Sequence, residues 1–219
     1  MKDRTAPALF GIVVYDGVEP IDLGGTVGVI SMAKRVLPAI ESVTIAEDAG
    51  PITLAGGLVV LAQASFADAQ ECDVLMVCGG PGWRRETTNA AMLSFLRHPP
   101  ASRVTSVCTG AMILGAAGVL DGRIATTRRS AVGSETQSPL AELASLAPAS
   151  RGQAAALVED GGVVTGGGVS LSIDATLYLI GAIYGEDAQA EVARVIEYDR
   201  AYEANRAALG HVRAERAVL

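Results

Sequence analysis

The chain has 219 residues, half of them hydrophobic and only 4% aromatic, with 25 glycines and a formal net charge of -7. That length suits one well-packed core, and the acidic balance excludes a nucleic-acid surface, which needs clustered Lys and Arg to displace counterions from phosphates. Three cysteines without a C-x-x-C pair exclude a disulfide framework and point to a reducing, cytoplasmic setting, and no apolar run reaches the roughly 18 residues of a membrane span.

The start M-K-D-R-T-A-P leads straight into a strand-like run, so neither a signal peptide nor an anchor is expected. Leu9 to Tyr15 is a continuous apolar run of the kind a strand buried on both faces shows, and Asp16-Gly17 is a turn signal. Leu23 to Leu37 predicts a helix and Val43 to Ala46 a second strand. Leu58 to Ala62, after Gly56-Gly57, predicts an antiparallel excursion. Val74 to Cys78 is another buried strand, stopping at Gly79-Gly80-Pro81-Gly82. A short helix over Asn89 to Arg97, a strand over Val104 to Val107 and a helix over Met112 to Ala117 follow. Ile124 to Thr126, Ala155 to Glu159 and Val163 to Thr165 predict strands; Leu171 to Tyr184 and Ala188 to Asn205 predict helices. Ala141 to Ala149 is read as small-residue packing.

Strands alternating with helices define an α/β fold around a mainly parallel sheet. No linker divides it, so a single domain over 1–219 is expected, with 186–219 a C-terminal helical extension. Ligands of such folds bind at the carboxyl ends of the strands. Three loops meet that rule: Asp16 to Asp22, Gly79 to Gly82, and Cys108-Thr109.

Cys108 stands between a strand and the first turn of a helix, where unpaired N–H groups and the helix dipole favour a thiolate nucleophile. The other reading is a small buried core residue. Glu19 and Asp22 are the carboxylates on the first loop. Asp22 is either a proton donor whose pKa is raised by burial, or the cap of the helix that follows. The Gly79-Gly80 turn either aims N–H groups, with that of Thr109, at developing negative charge, or merely permits positive φ. Trp83 either walls a substrate pocket or covers the turn. Cys72 reads as a spectator and Cys78 as core. The chain has two histidines. His98 precedes the strand that ends at Cys108, about 13 Å from it at roughly 3.3 Å per residue, and His211 lies in the C-terminal tail. A Cys-His dyad and a zinc site therefore lack ligands.

The runs V-L-M-V-C-G-G-P-G (74–82), V-C-T-G-A-M-I-L-G-A-A-G-V-L-D-G-R-I-A-T-T (107–127) and T-G-G-G-V-S-L-S-I-D (165–174) resemble the ThiJ/PfpI superfamily over nearly the full length. The resemblance implies a flavodoxin-like three-layer sandwich with a cysteine nucleophile elbow, related to class I glutamine amidotransferases. P-I-D-L-G-G, C-T-G, A-T-T and T-G-G-G-V are most similar to isonitrile hydratases and to the sensor domains of a group of AraC-type regulators. Carried over by position, the nucleophile falls on Cys108 and its acidic partner on Asp22. The oxyanion-type donors fall on Gly80 and Thr109, with the Thr109 hydroxyl near the thiol.

The resemblance also implies a homodimer, a small-molecule substrate, and chemistry without metal or organic cofactor. Relatives commonly carry A-T-T-H-W where this chain has Ala125-Thr126-Thr127-Arg128-Arg129. The missing histidine weakens protease, amidase and glyoxalase readings. The expected activity is hydration of an isonitrile to an N-substituted formamide, a lyase reaction. The alternatives are a stand-alone sensor working through oxidation of Cys108, and hydrolysis or hydration of another small electrophile. Arg128 and Arg129 are read as surface charge or as contacts for an anionic substrate.

Overall fold

The computed structural model describes residues 1–214. In chain order its strands are β1 (Ala8–Val13), β2 (Ile40–Ala46), β3 (Gly50–Thr53), β4 (Val59–Ala62), β5 (Ala64–Ser65), β6 (Val74–Val77), β7 (Val104–Ser106), β8 (Ile124–Ala125), β9 (Arg151–Gly152), β10 (Leu157–Asp160), β11 (Val163–Gly166) and β12 (His211–Arg213). The helices are α1 (Pro20–Ala33), α2 (Trp83–Glu86), α3 (Ala90–Arg97), α4 (Gly110–Ala116), α5 (Pro139–Leu146), α6 (Ser172–Tyr184), α7 (Glu186–Val195) and α8 (Asp199–Leu209).

One eight-stranded sheet runs in the order β12-β10-β11-β7-β6-β1-β2-β5. It is parallel except that β10 and β12 run against the rest. The uninterrupted apolar run of β6 is explained by its central place: every residue from Val74 to Val77 is fully buried. Helices α1, α6 and α7 pack together, while α2, α3 and α5 gather around α4; the sheet between them completes the flavodoxin-like sandwich. Because β7, β6 and β1 are neighbours, the loops that follow them meet at one end of the sheet. No helix among the described residues is long and apolar enough to cross a membrane.

Four differences from the sequence reading have physical causes. Helix α1 starts at Pro20, whose fixed φ and missing N–H suit the first helical position, so Asp22 lies inside the first turn rather than before it. Residues 139–146 form a helix instead of loose small-residue packing. Its Ser138 side chain accepts from the Ala141 N–H and Pro139 opens it. Ile124–Ala125 pairs with Arg151–Gly152 outside the main sheet. In the C-terminal segment, His211–Arg213 forms a strand beside β10, and the single helix expected over 188–205 is two.

The break between α7 and α8 lies at Glu197, held at φ 54. The N–H of Tyr198 reaches Ala193 O at 2.8 Å and that of Glu197 reaches Arg194 O at 3.1 Å, the pattern of a glycine-ended helix with glutamate in the glycine's place. No residue there signals a stop. Glu197→Gly is expected to raise stability by roughly 1 kcal/mol by relieving this left-handed conformation; equilibrium urea unfolding measures it.

Candidate active site

The end of β7 carries the site. Cys108 follows Val107 at φ 51, a left-handed conformation costly for a residue with a Cβ. Its conformation is pinned from both sides: its N–H donates to Gly167 O at 2.8 Å, and the Thr127 hydroxyl donates to its carbonyl at 2.7 Å. These clamps come from the T-G-G-G and A-T-T stretches. Neither Thr127 nor Gly167 carries a local sequence signal of this part.

Two glycines let three loops close on one another. Gly110 opens α4 against β6; a Cβ there would stand 2.1 Å from Val77 O. Gly80 has φ 144, and a Cβ there would stand 2.3 Å from both Gly17 O and Glu19 N. Gly110→Ala is expected to cost roughly 3 kcal/mol, because the obstacle is backbone that cannot rotate away. Chemical unfolding checks it, and a loss below about 1 kcal/mol would contradict the packing described.

The two expected partners converge on this point. The Asp22 carboxylate is fully buried. Its Oδ2 accepts the Gly79 N–H at 2.7 Å, while Oδ1 has no hydrogen-bond partner among the described residues. Asp22 does not cap its helix: Glu19 occupies the cap position and no side chain caps there. Burial pushes the Asp22 carboxyl up to about 7, against the opposing pull of the Gly79 N–H, with Glu19 adding to the rise and Arg128 opposing it. At neutral pH this group is divided between acid and carboxylate.

Cys108 differs from expectation. Burial, and next the Asp22 charge, push its thiol up to about 12, outweighing the N–H and hydroxyl of Thr109 and the Arg128 charge. With only 3% of the residue exposed and a seven-residue helix behind it, the helix dipole does not deliver a resting thiolate. The group at rest is a neutral thiol beside a carboxyl that holds a proton part of the time.

Thr109 joins two loops. Its hydroxyl accepts the Gly80 N–H at 2.9 Å, and both its N–H and its hydroxyl favour the charged form of the Cys108 sulfur. The Gly80 donor thus points at Thr109. Gly79 keeps its N–H on Asp22.

Above the thiol lies a cavity of about 640 Å³, lined by Gly80, Trp83, Cys108, Thr109, Arg128 and Val132 among others. Trp83 is buried and forms part of this wall, with the Arg84 guanidinium stacked 4.3 Å over its ring. Arg128 is not free surface charge: its side chain is 11% exposed and pairs with Glu135 at 2.5 Å, bracing the loop that forms the far wall. Arg129 is exposed.

Neither histidine borders this cavity. His98 is exposed at the end of α3. His211 sits between the Tyr178 and Tyr202 rings at the sheet edge, and burial holds it down at about 4. Cys78 is buried at the end of β6, its carbonyl accepting the Tyr15 hydroxyl, and Cys72 is buried too; all three cysteines are free thiols. Among the described residues no group of three or more His, Cys, Asp or Glu side chains is placed to hold a metal ion.

An α/β sandwich whose strand ends bring a strained cysteine, a buried carboxyl and a glycine turn together defines a class of fold and site. The sequence profile of the DJ-1/PfpI family matches residues 10–182, and the chain belongs to that family. An isonitrile hydratase of Pseudomonas putida is 32% identical over 190 residues, 86% of this chain and 77% of that protein. The transcriptional regulator GbdR of Pseudomonas aeruginosa is 25% identical across 89% of this chain, which spans 52% of its length. A ThiJ/PfpI family protein from Pseudomonas syringae superposes with a TM-score of 0.78 at 27% identity, covering 89% of this chain and 76% of that one. Drosophila melanogaster DJ-1beta shares the fold, with a TM-score of 0.71 at 16% identity over 88% and 98% of the two chains.

Proposed function

We propose that the protein hydrates a small isonitrile to an N-substituted formamide, with Cys108 as nucleophile and Asp22 as the proton carrier. The observation that carries this reading is the pairing of a neutral thiol with a buried carboxyl whose Oδ1 is unengaged and whose pKa lies near 7.

An isonitrile carbon becomes strongly electrophilic once protonated. Protonated Asp22 delivers its proton to that carbon, and the sulfur attacks it. The carboxylate just formed takes the thiol proton, so the pair returns to its starting charge and the product is the thioimidate R–N=CH–S–Cys108. Water then adds to the same carbon and the C–S bond breaks. The sulfur regains a proton and R–NH–CHO leaves. One acid and one thiol supply the proton that ends on carbon, and water supplies those that reach nitrogen and sulfur, with no demand for histidine. Thr109, which follows Cys108 and ties down the Gly80 turn, positions the thiol through both steps.

The similarity to the Pseudomonas putida hydratase supports the same reaction class. The oxidation-sensor reading is disfavoured, since susceptibility to oxidation follows thiolate character and exposure, and Cys108 has little of either. Incubation with an aliphatic isonitrile is expected to release the N-alkylformamide at a rate that saturates with substrate. A rate no faster than that of buffer overturns the proposal.

A further inference from the structure

A second cavity, of about 360 Å³, adjoins the first and shares Arg128 and Val169 with it. Its wall includes Arg129, Ser130, Ser170 and Asn205, and no Asp or Glu contributes to it. The first cavity differs, with Glu19 and Glu135 on its wall. Among the described residues Arg129 has no ion-pair partner, whereas Arg128 is held by Glu135 between the two spaces. In a chain of net charge -7, a hollow bordered by two arginines, one of them without an ion-pair partner, and by no Asp or Glu is an electrostatic exception.

We propose that the second cavity is an anion subsite: it receives an acidic oxyanion group, carboxylate or phosphate, at the tail of a molecule whose neutral reactive head lies at Cys108. Guanidinium geometry matches both oxyanions. The first cavity carries Glu19 and has its two arginines, Arg84 and Arg128, already paired with Glu142 and Glu135, so the unpaired cation lies only in the second hollow and draws the acidic end there. This deepens the hydratase reading by naming a substrate class and rests on Cys108 as the place where the head docks.

The test reads Cys108 directly. Maleimides of equal length ending in a neutral amide, a carboxylate or a phosphonate are reacted with the protein, and the rate at Cys108 is followed by peptide mass. In the wild type at low salt the acid-ended reagents are expected to react roughly three- to fivefold faster than the amide. The ratio falls toward one in Arg129→Ala and below one in Arg129→Glu, and the preferred acid identifies the oxyanion. The same ratio in all three proteins overturns the subsite. Should Cys108 react with none of these reagents, calorimetry with hexanoate and hexanamide decides: hexanoate binding that Arg129→Glu abolishes supports the proposal, and absence of hexanoate binding to the wild type overturns it. Failure to produce any formamide would overturn the hydratase reading and leave these ratios interpretable, so the two failures are distinct.

Discussion

Cys108→Ala and Cys108→Gly are both expected to abolish the proposed formamide production, by at least roughly 10⁴-fold, yet the glycine variant is expected to be the more stable of the two by about 1 kcal/mol. Ordinarily alanine is the more stabilising residue, because glycine has more backbone freedom to lose on folding. The order inverts here since φ 51 disfavours any side chain that carries a Cβ. The strain is maintained by the clamps from Gly167 and Thr127, which grip the backbone of residue 108 whatever its side chain. Product formation and urea unfolding on the two variants separate these effects. An alanine variant as stable as the glycine one would mean that the bend carries no strain.

Asp22→Asn is expected to lower turnover by roughly 10²- to 10⁴-fold, because an amide cannot deliver a proton to the substrate carbon. The same substitution is expected to stabilise the fold at alkaline pH. The folded-state pKa of Asp22 lies at about 7 against an ordinary 3.8, so the folded protein holds a proton that the unfolded chain gives up between those values. The stability this contributes is fully present below 3.8 and is lost as pH rises through about 7. That loss is on the order of 4 kcal/mol, and after allowing for burial of the amide the asparagine variant is expected to be roughly 2 kcal/mol more stable at pH 8, the difference disappearing near pH 4.

The wild-type rate follows the same proton. For the proposed reaction it is expected to be level on the acid side of about 7 and to fall above it, with Asp22 acting in its protonated form and the thiol, at about 12, adding no second inflection near neutrality. A rate that climbs with pH through 7 would instead make Asp22 a base or Cys108 a thiolate.

Much of this arrangement is legible in the amino-acid order. The unbroken apolar runs at Leu9 and Val74 mark strands buried on both faces, and the short run ending at Cys108 marks the third; their adjacency then follows from parallel topology. Asp22 stands on the right loop, but whether it caps a helix or faces the thiol depends on where α1 begins, and Pro20 moves that start back. Local position alone predicts a thiolate at Cys108 where the structure holds a neutral thiol. Its surroundings are set by Asp22, 86 positions away in the chain, and by burial that no short motif encodes. Thr127 and Gly167 escaped notice for the same reason. The helix over 139–146 did carry a local sign, Ser138-Pro139, while the break at Glu197 carried none, since its backbone geometry ordinarily selects glycine.

The loop braced by Arg128 and Glu135 belongs to the connection between β8 and α5, which supplies neither the sulfur nor the carboxyl. The same connection still reaches the reacting pair, through the Thr127 hydroxyl on the Cys108 carbonyl and through the Arg128 charge, which opposes the rise of both Asp22 and Cys108. A substitution in this one connection therefore alters the cavity wall and the titration of the thiol and the acid together.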